Sequence, residues 1–161
     1  MSDDYAETLK KLEKEFDELQ FDRFGFDEAW AIGNDLVQTG LREKLGIAID
    51  VTVNGQTLFH AGLAGSSPDN DHWIERKVRV VQRFHKSSLY IATQLRQKGR
   101  TMEEEYAIPS ADFAASGGAV PIRVHGIGVI GAVTVSGLHD YEDHAMAAAA
   151  IRRCISMYKG Q

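Results

Sequence analysis

The chain has 161 residues, with 18 Lys and Arg against 23 Asp and Glu, a net charge of -5 and a single cysteine. This length is typical of one domain, and the interspersed charges disfavour a nucleic-acid partner because phosphate neutralisation needs clustered basic residues. The lone Cys154 excludes an intramolecular disulfide and a multi-cysteine metal site. The N-terminus is acidic, unlike a signal peptide, and no apolar stretch approaches 18 residues. We therefore expect a soluble, cytoplasmic protein with no membrane partner.

Two amphipathic helices are predicted before the first strand. Apolar residues recur every three or four positions over residues 8–19, and a second stripe extends from Ala29 to Leu41. Asp27 precedes this stripe as a candidate N-cap. We expect a single domain over residues 1–161, in which residues 1–20 form an N-terminal helical extension.

A hairpin follows the two helices. Apolar residues alternate from Ile47 to Val53, and the next two residues, Asn-Gly, are typical of a type I′ turn. A two-residue turn places Val51 opposite Leu58 and Ile49 opposite His60. We therefore expect His60 to share a face with the aliphatic residues, as a strand-end histidine rather than a ligand.

The rest of the chain predicts helices around a second strand pair. A helical pattern begins at Asp69, is interrupted by polar residues 85–88, which indicate a kink or a junction, and ends near residue 98. Strands are predicted over 118–124 and 127–135, the second apolar on both faces, as if covered by helices or another subunit. A last helix begins at Asp140. The order ααββαββα favours an antiparallel α+β sheet.

Two further patterns do not indicate cofactor sites. Gly126, Gly128 and Gly131 have the spacing of a dinucleotide-binding loop, but β-branched residues follow where that loop needs a helix. The six histidines lack metal-ligand spacing, and His139 and His144 are expected to be surface residues at a helix start. We therefore predict no dinucleotide site and no metal site.

Short polar and glycine-rich segments lie at the ends of several predicted elements. They cover residues 66–71, 85–88, 116–118 and 135–137, the last leading to Asp143. Such loops often present binding groups, and two of them lead into helix N-termini, which favour anions. A shared pocket and ordinary turn chemistry both remain open.

The order and spacing of these motifs resemble the haem-degrading domain family, which includes HbpS, GlcG and the C-terminal domain of PduO adenosyltransferases. The motifs are Lys77 followed by Phe84 and Ser87-Ser88, then Ser116-Gly-Gly-Ala-Val-Pro121-Ile, then Gly131-Ala-Val-Thr-Val-Ser136-Gly137 with Asp143 six residues on. The pattern from Asn54 to Ser88 is closest to an uncharacterised cytoplasmic branch of this family. The resemblance covers most of the chain after Phe21.

The resemblance implies a profilin-like α+β fold with an antiparallel sheet flanked by helices, homo-oligomeric assembly and a haem- or corrinoid-related ligand. Val78, Val80 and Val81 stand where haem-linked members have small residues, which implies a narrower site. The resemblance and the pocket hypothesis together give the candidate ligand-binding residues: Lys77, His85, Ser87, Ser88, Gly117, Gly118, Pro121, Ser136, Gly137 and Asp143.

The leading hypothesis is therefore a ligand-binding homo-oligomer, which prefers an anionic ligand and binds haem, if at all, weakly and through His85 rather than Cys154. Lys77 lies on an apolar stripe and needs a partner, so a structural Lys77–Asp143 pair without ligand is the alternative at that position. Two other functions remain open. One is an oligomeric scaffold or chaperone-like protein without a small ligand, and the other is a hydrolase or lyase that uses His85 with Asp69 or Asp143.

Overall fold

The computed structural model describes residues 2–159, and none of its helices is long and apolar enough to cross a membrane. Six helices and five strands follow one another in these described residues. In chain order they are α1 (Ser2–Glu18), β1 (Gln20–Phe21), α2 (Phe26–Glu43), β2 (Ala48–Val53), β3 (Gln56–Gly62), α3 (Pro68–Phe84), α4 (Ser88–Lys98), α5 (Met102–Tyr106), β4 (Ala119–Val124), β5 (Gly128–Ser136) and α6 (Asp140–Tyr158).

The strands form one sheet in the order β1-β4-β5-β2-β3. Neighbouring strands are antiparallel except for the two-residue β1, which pairs parallel with β4. The predicted α+β fold, an antiparallel sheet flanked by helices, is therefore confirmed. The glycine spacing at 126–131 leads into strand β5, as expected, and not into a helix.

Helices cover both faces of the sheet, so the fold has three layers. Alternate residues of β2 and β5, such as Ile49 and Val135, face the main core with α2 and α6. Their neighbours Ala48 and Ala132 face the other side, where they pack with α3. Polar residues of β2 on this second side, Asp50 and Thr52, therefore lie next to α3 rather than in the main core.

Several local predictions need correction. The predicted order ααββαββα lacks β1 and α5, and the long third helix is two helices. Helix α3 ends at Phe84, the next residue, His85, has a left-handed φ of 54°, and Ser87 caps α4. This junction was one of the two alternatives expected at residues 85–88. Helix α2 begins at Phe26, before Asp27, with Gly25 as its N-cap.

Most of strand β5 is covered within the same chain. It is central in the sheet, between β4 and β2, and the side chains of Ala132 to Ser136 are buried within the same chain. The apolar character of this strand is therefore explained by the helices of the same chain, which is one of the two alternatives that the sequence left open.

Candidate ligand-binding groove

A β-bulge in the first hairpin determines where His60 points. The Asn54-Gly55 turn has the positive φ angles expected, 50° and 81°, but Thr52 pairs with Thr57 and Val51 pairs with Phe59, leaving Leu58 as an extra residue. His60 therefore lies opposite Asp50 and not opposite Ile49. The prediction that His60 shares the aliphatic face is wrong, because the bulge shifts the register by one residue.

His60 is bonded to carboxylates through both ring nitrogens. Its Nδ1 is 2.9 Å from Asp50 Oδ2, and its Nε2 is 2.9 Å from Asp71 Oδ1 in the first turn of α3. Asp50 is buried, and its other oxygen accepts a short hydrogen bond from the Thr52 hydroxyl. The ring is thus fixed between the sheet and α3 by one buried and one half-exposed carboxylate.

These contacts favour the charged imidazolium. Partial burial disfavours that charge, but the hydrogen bond and charge of Asp50, followed by those of Asp71, outweigh it and raise the pKa of His60 above 6.5. A ring that bonds to two carboxylates is consistent with two N–H donors.

This pKa shift predicts a pH-dependent contribution to stability. The stabilisation from His60 is fully present below pH 6.5 and is lost as the pH rises through the raised pKa of the folded state. Replacing His60→Gln should therefore lower the free energy of unfolding more at about pH 5.5 than at about pH 9. Urea denaturation at both pH values measures this, with His72→Gln as the control because that ring is mostly exposed. An equal loss at both pH values would contradict the assignment.

Two cavities that share Gln82 lie beside α3, and we refer to them together as the α3 groove. Its His60 end has a volume of about 430 Å³ and lies between α3 and the β2–β3 hairpin. Its His85 end has a volume of about 280 Å³ and lies between the end of α3 and β5. Gln82 lines both ends. The lining combines apolar residues with charged and polar ones: Ile74, Val78, Val81, Val129, Ile130, Asp50, Thr52, Thr57, His60, Asp71, Glu75, Arg79 and His85.

Lys77 and Asp143 form a buried ion pair outside this groove. Their side chains are each 3% exposed, and Lys77 Nζ donates to Asp143 Oδ2 at 3.1 Å and to the carbonyl of Val135 at 3.2 Å. Asp143 also accepts from the backbone N–H groups of Gly137 and Leu138. Burial lowers the pKa of Lys77 and raises that of Asp143, while their mutual attraction opposes both shifts.

The glycine loop packs closely against this pair. Gly118 has a φ of 141°, and a Cβ there would lie 2.5 Å from the Val135 carbonyl and 2.6 Å from Lys77 Nζ. Only glycine fits this position without strain. The structure thus brings Lys77, Gly118, Gly137 and Asp143 together in a closed cluster, consistent with a structural pair at this position.

The other candidate residues tie neighbouring elements to this cluster. Gly117 donates its backbone N–H to Asp140 Oδ2, and the N–H of Ala119 donates to Ser88 Oγ. Ser136 accepts a long hydrogen bond from Asn70. Their direct role in binding a ligand stays a prediction.

Ser87 and Pro121 lie beneath α1. They line a crevice with Leu12 and Phe16, and its free volume is about 10 Å³. This is about the space that one water molecule needs. A tetrapyrrole does not fit in this crevice while α1 covers it.

The proposed hydrolase or lyase pairs are not assembled. Asp69 is in the first turn of α3, whereas His85 follows its last residue, and Asp143 is bonded to Lys77 instead. Cys154 is buried, and burial followed by the charges of Glu28 and Asp35 raises its pKa to about 11. A thiol of this kind is a poor nucleophile and a poor metal ligand.

Sequence reasoning missed the contacts of two histidines with carboxylates. Asp50 and Asp71 were not connected with His60, because the bulge gives no sequence signal. His144 is buried and lies 2.6 Å from Glu15 of α1, so the expectation of a surface residue is wrong. No cluster of three or more His, Cys, Asp or Glu residues suited to a metal ion occurs within residues 2–159.

The fold and the motif cluster define a class of protein. The family of haem-degrading, HbpS-like proteins matches residues 24–152, which is most of the chain, and the protein therefore belongs to this family. Helix α1 lies outside the matched range.

Individual relatives agree with this assignment. The chain is 46% identical over 150 residues to the UPF0303 protein SCO2848 of Streptomyces coelicolor, covering 93% of this chain and 95% of that protein. It resembles the crystal structure of Ybr137w with a TM-score of 0.87 and 30% identity, covering 93% and 89% of the two chains. It also shares its fold with the PduOC:haem complex, with a TM-score of 0.68 and 14% identity over 80% of this chain and 93% of that one.

Proposed function

We propose that this protein is a homo-oligomer that binds a haem-type tetrapyrrole at the His85 end of the α3 groove. The observation that carries the proposal is an exposed imidazole beside an apolar surface: His85 lines the groove with Val129 and Ile130, which are partly exposed. Family membership and the shared fold of PduOC, whose crystal structure contains haem, support this class of ligand.

The residues at this end fit the requirements of haem. One protein imidazole is sufficient as an axial ligand, and an apolar surface accommodates the macrocycle. His85 would hold the iron, while Gln82 and the adjoining Arg79 supply polar groups suited to propionates. His60 is less suited to iron because Asp50 and Asp71 occupy both of its nitrogens. Bound haem would supply redox and ligand-exchange chemistry.

The valines near this site limit its width. Val78 and Val81 lie at the two ends of the groove and are 7% and 0% exposed, whereas Val80 is packed between α3 and α4. The His85 end alone is small for a ligand of drug size, so the ligand has to extend toward Gln82 and Arg79. We therefore expect haem affinity to be modest.

A Soret titration tests the proposal. Wild type should bind haemin one to one with a shifted Soret band. His85→Ala should lose about tenfold or more in affinity, because removing the residue that would hold the iron costs at least as much affinity as removing a residue that hydrogen-bonds to such a ligand. Cys154→Ser is expected to bind like wild type. His125→Ala is the matched control because it removes another exposed imidazole, in the β4–β5 turn.

Two results would contradict this proposal. Unchanged binding by His85→Ala would remove His85 from the site. Loss of binding only in Cys154→Ser would assign the iron to the thiol.

The homo-oligomeric part of the proposal has support on α2. Phe26, Trp30 and Leu41 are 69%, 65% and 57% exposed, and they lie on one side of this helix. An exposed apolar stripe of this kind is typical of an interaction surface. The same stripe would also serve a scaffold without a small ligand, which is the second candidate function; the haemin titration separates the two.

A further inference from the structure

The His60 end of the α3 groove contains a carboxylate supplied by the protein itself. Asp71 is half-exposed, and its Oδ1 lies 2.9 Å from His60 Nε2 at the groove. On the other side of the ring, Asp50 is 5% exposed and bonds to Nδ1. The Asp50 carboxylate is therefore fixed inside the fold, whereas the Asp71 carboxylate lies at the surface.

We propose that the His60 end of the groove is a binding site for small carboxylic acids, whose carboxylate takes the place of Asp71 on His60 Nε2. This inference goes beyond the proposed haem site, which is centred on His85 at the other end of the groove and reaches this end only at Arg79 and Gln82. Neither end requires the other to be occupied.

The first argument is that His60 is already organised as a carboxylate-binding group. The Thr52 hydroxyl bonds to one oxygen of Asp50, and the other oxygen bonds to His60 Nδ1. This chain of contacts fixes the ring orientation and aims Nε2 toward the groove. A charge-assisted N–H···O bond to a carboxylate is stronger than a neutral hydrogen bond.

The second argument is electrostatic. The charged groups that line this end are Asp50, His60, Asp71, Glu75 and Arg79. When an incoming carboxylate replaces Asp71, the ring loses one anionic partner and gains another. His60 therefore bonds to two carboxylates in both states, and Asp71 in the first turn of α3 becomes solvated at the surface. The added negative charge beside Asp71 and Glu75 keeps the affinity of the wild type low.

The third argument concerns the body of the ligand. The volume of about 430 Å³ exceeds what a bare carboxylate needs, and Ile74 and Val78 supply an apolar wall. Thr57, Arg79 and Gln82 add polar groups at the same end. The groove therefore suits a carboxylate attached to a compact apolar body, and benzoate is a simple probe of this class.

The test compares benzoate with benzamide, which has the same shape without the charge. Binding is followed by NMR through the ring signals of His60, in wild type, Asp71→Ala and Glu75→Ala. Glu75→Ala is the matched control because Glu75 lines the same groove one turn further along α3 and removes the same charge.

Wild type should bind benzoate weakly, and Asp71→Ala should bind it about tenfold more tightly, because the internal carboxylate no longer competes for His60. Glu75→Ala should change the affinity by less than about threefold. Benzamide should perturb His60 in none of the three proteins.

Three outcomes would overturn the proposal. The first is an equal gain in Asp71→Ala and Glu75→Ala, which would indicate a general charge effect. The second is equal binding of benzamide and benzoate. The third is the absence of any change in the His60 signals of the wild type when benzoate is added at about a hundred times the concentration that saturates Asp71→Ala. Competition from Asp71 would weaken binding by less than this factor. Since no haem is present, failure of the haem proposal would not affect this result.

Discussion

Replacing Asp143→Ala is expected to lower the free energy of unfolding by about 3–5 kcal/mol, because it leaves the Lys77 ammonium buried without a counter-ion. The same change removes the acceptor for the backbone N–H groups of Gly137 and Leu138. Water cannot easily replace Asp143 at the Lys77 ammonium, because the Lys77 side chain is 3% exposed and Gly118 lies against it.

Urea denaturation measures this effect, and an exposed ion pair provides the control. Glu18 and Arg152 are 3.3 Å apart with side chains about half-exposed, so Glu18→Ala should cost no more than about 1 kcal/mol. A double variant, Lys77→Met with Asp143→Leu, should recover part of the stability because no isolated charge remains. A loss below about 1 kcal/mol in Asp143→Ala would show that the pair does not hold α3, β5 and α6 together as described.

Replacing Trp30→Glu is expected to reduce the assembly to the 17.8 kDa monomer. Trp30 lies in the α2 stripe between Phe26 and Leu41, and a carboxylate there would have to be buried without a partner in any contact that uses this part of the stripe. Because the side chain is 65% exposed in the chain itself, the fold should tolerate the change.

Light scattering at micromolar concentration measures this effect, with Ile127→Glu as the matched control. Ile127 is 73% exposed in the β4–β5 turn, outside α2 and its apolar stripe. We expect this control to keep the wild-type mass. A monomeric wild type, or a Trp30→Glu variant with the wild-type mass, would contradict the proposed role of α2.

The sequence predicts the sheet from a strong local signal, and it gives the buried pair as one of the two alternatives for Lys77 and Asp143. Asn54-Gly55 supplies two residues that accept positive φ, which fixes the turn. Lys77 stands on an apolar helix face, where a cation needs a partner, and the motif order already indicated Asp143. In both cases few alternative structures satisfy the same physical requirement.

The position of His60 could not be predicted in this way. A β-bulge of this kind does not require a particular residue type. Residues 56–60 contain no glycine or proline that would mark it. One extra residue, Leu58, moves His60 from the aliphatic face to the α3 face and creates the contact with Asp50. The groove therefore depends on a register detail that alternation alone does not specify.

The long-range contacts of α1 could not be predicted from the sequence either. His144 and Glu15 are separated by most of the chain, and β1 consists of only two paired residues. Neither feature has a periodic pattern, so the packing of α1 over Ser87 and Pro121 follows only from the folded structure.

The most direct test of the central claim is a crystal structure of the protein grown with haemin. The account predicts haem at the His85 end of the α3 groove, with its iron bonded to the His85 imidazole and its propionates near Arg79 and Gln82. Haem beneath α1 beside Ser87 and Pro121, or iron bonded to a residue other than His85, would contradict it.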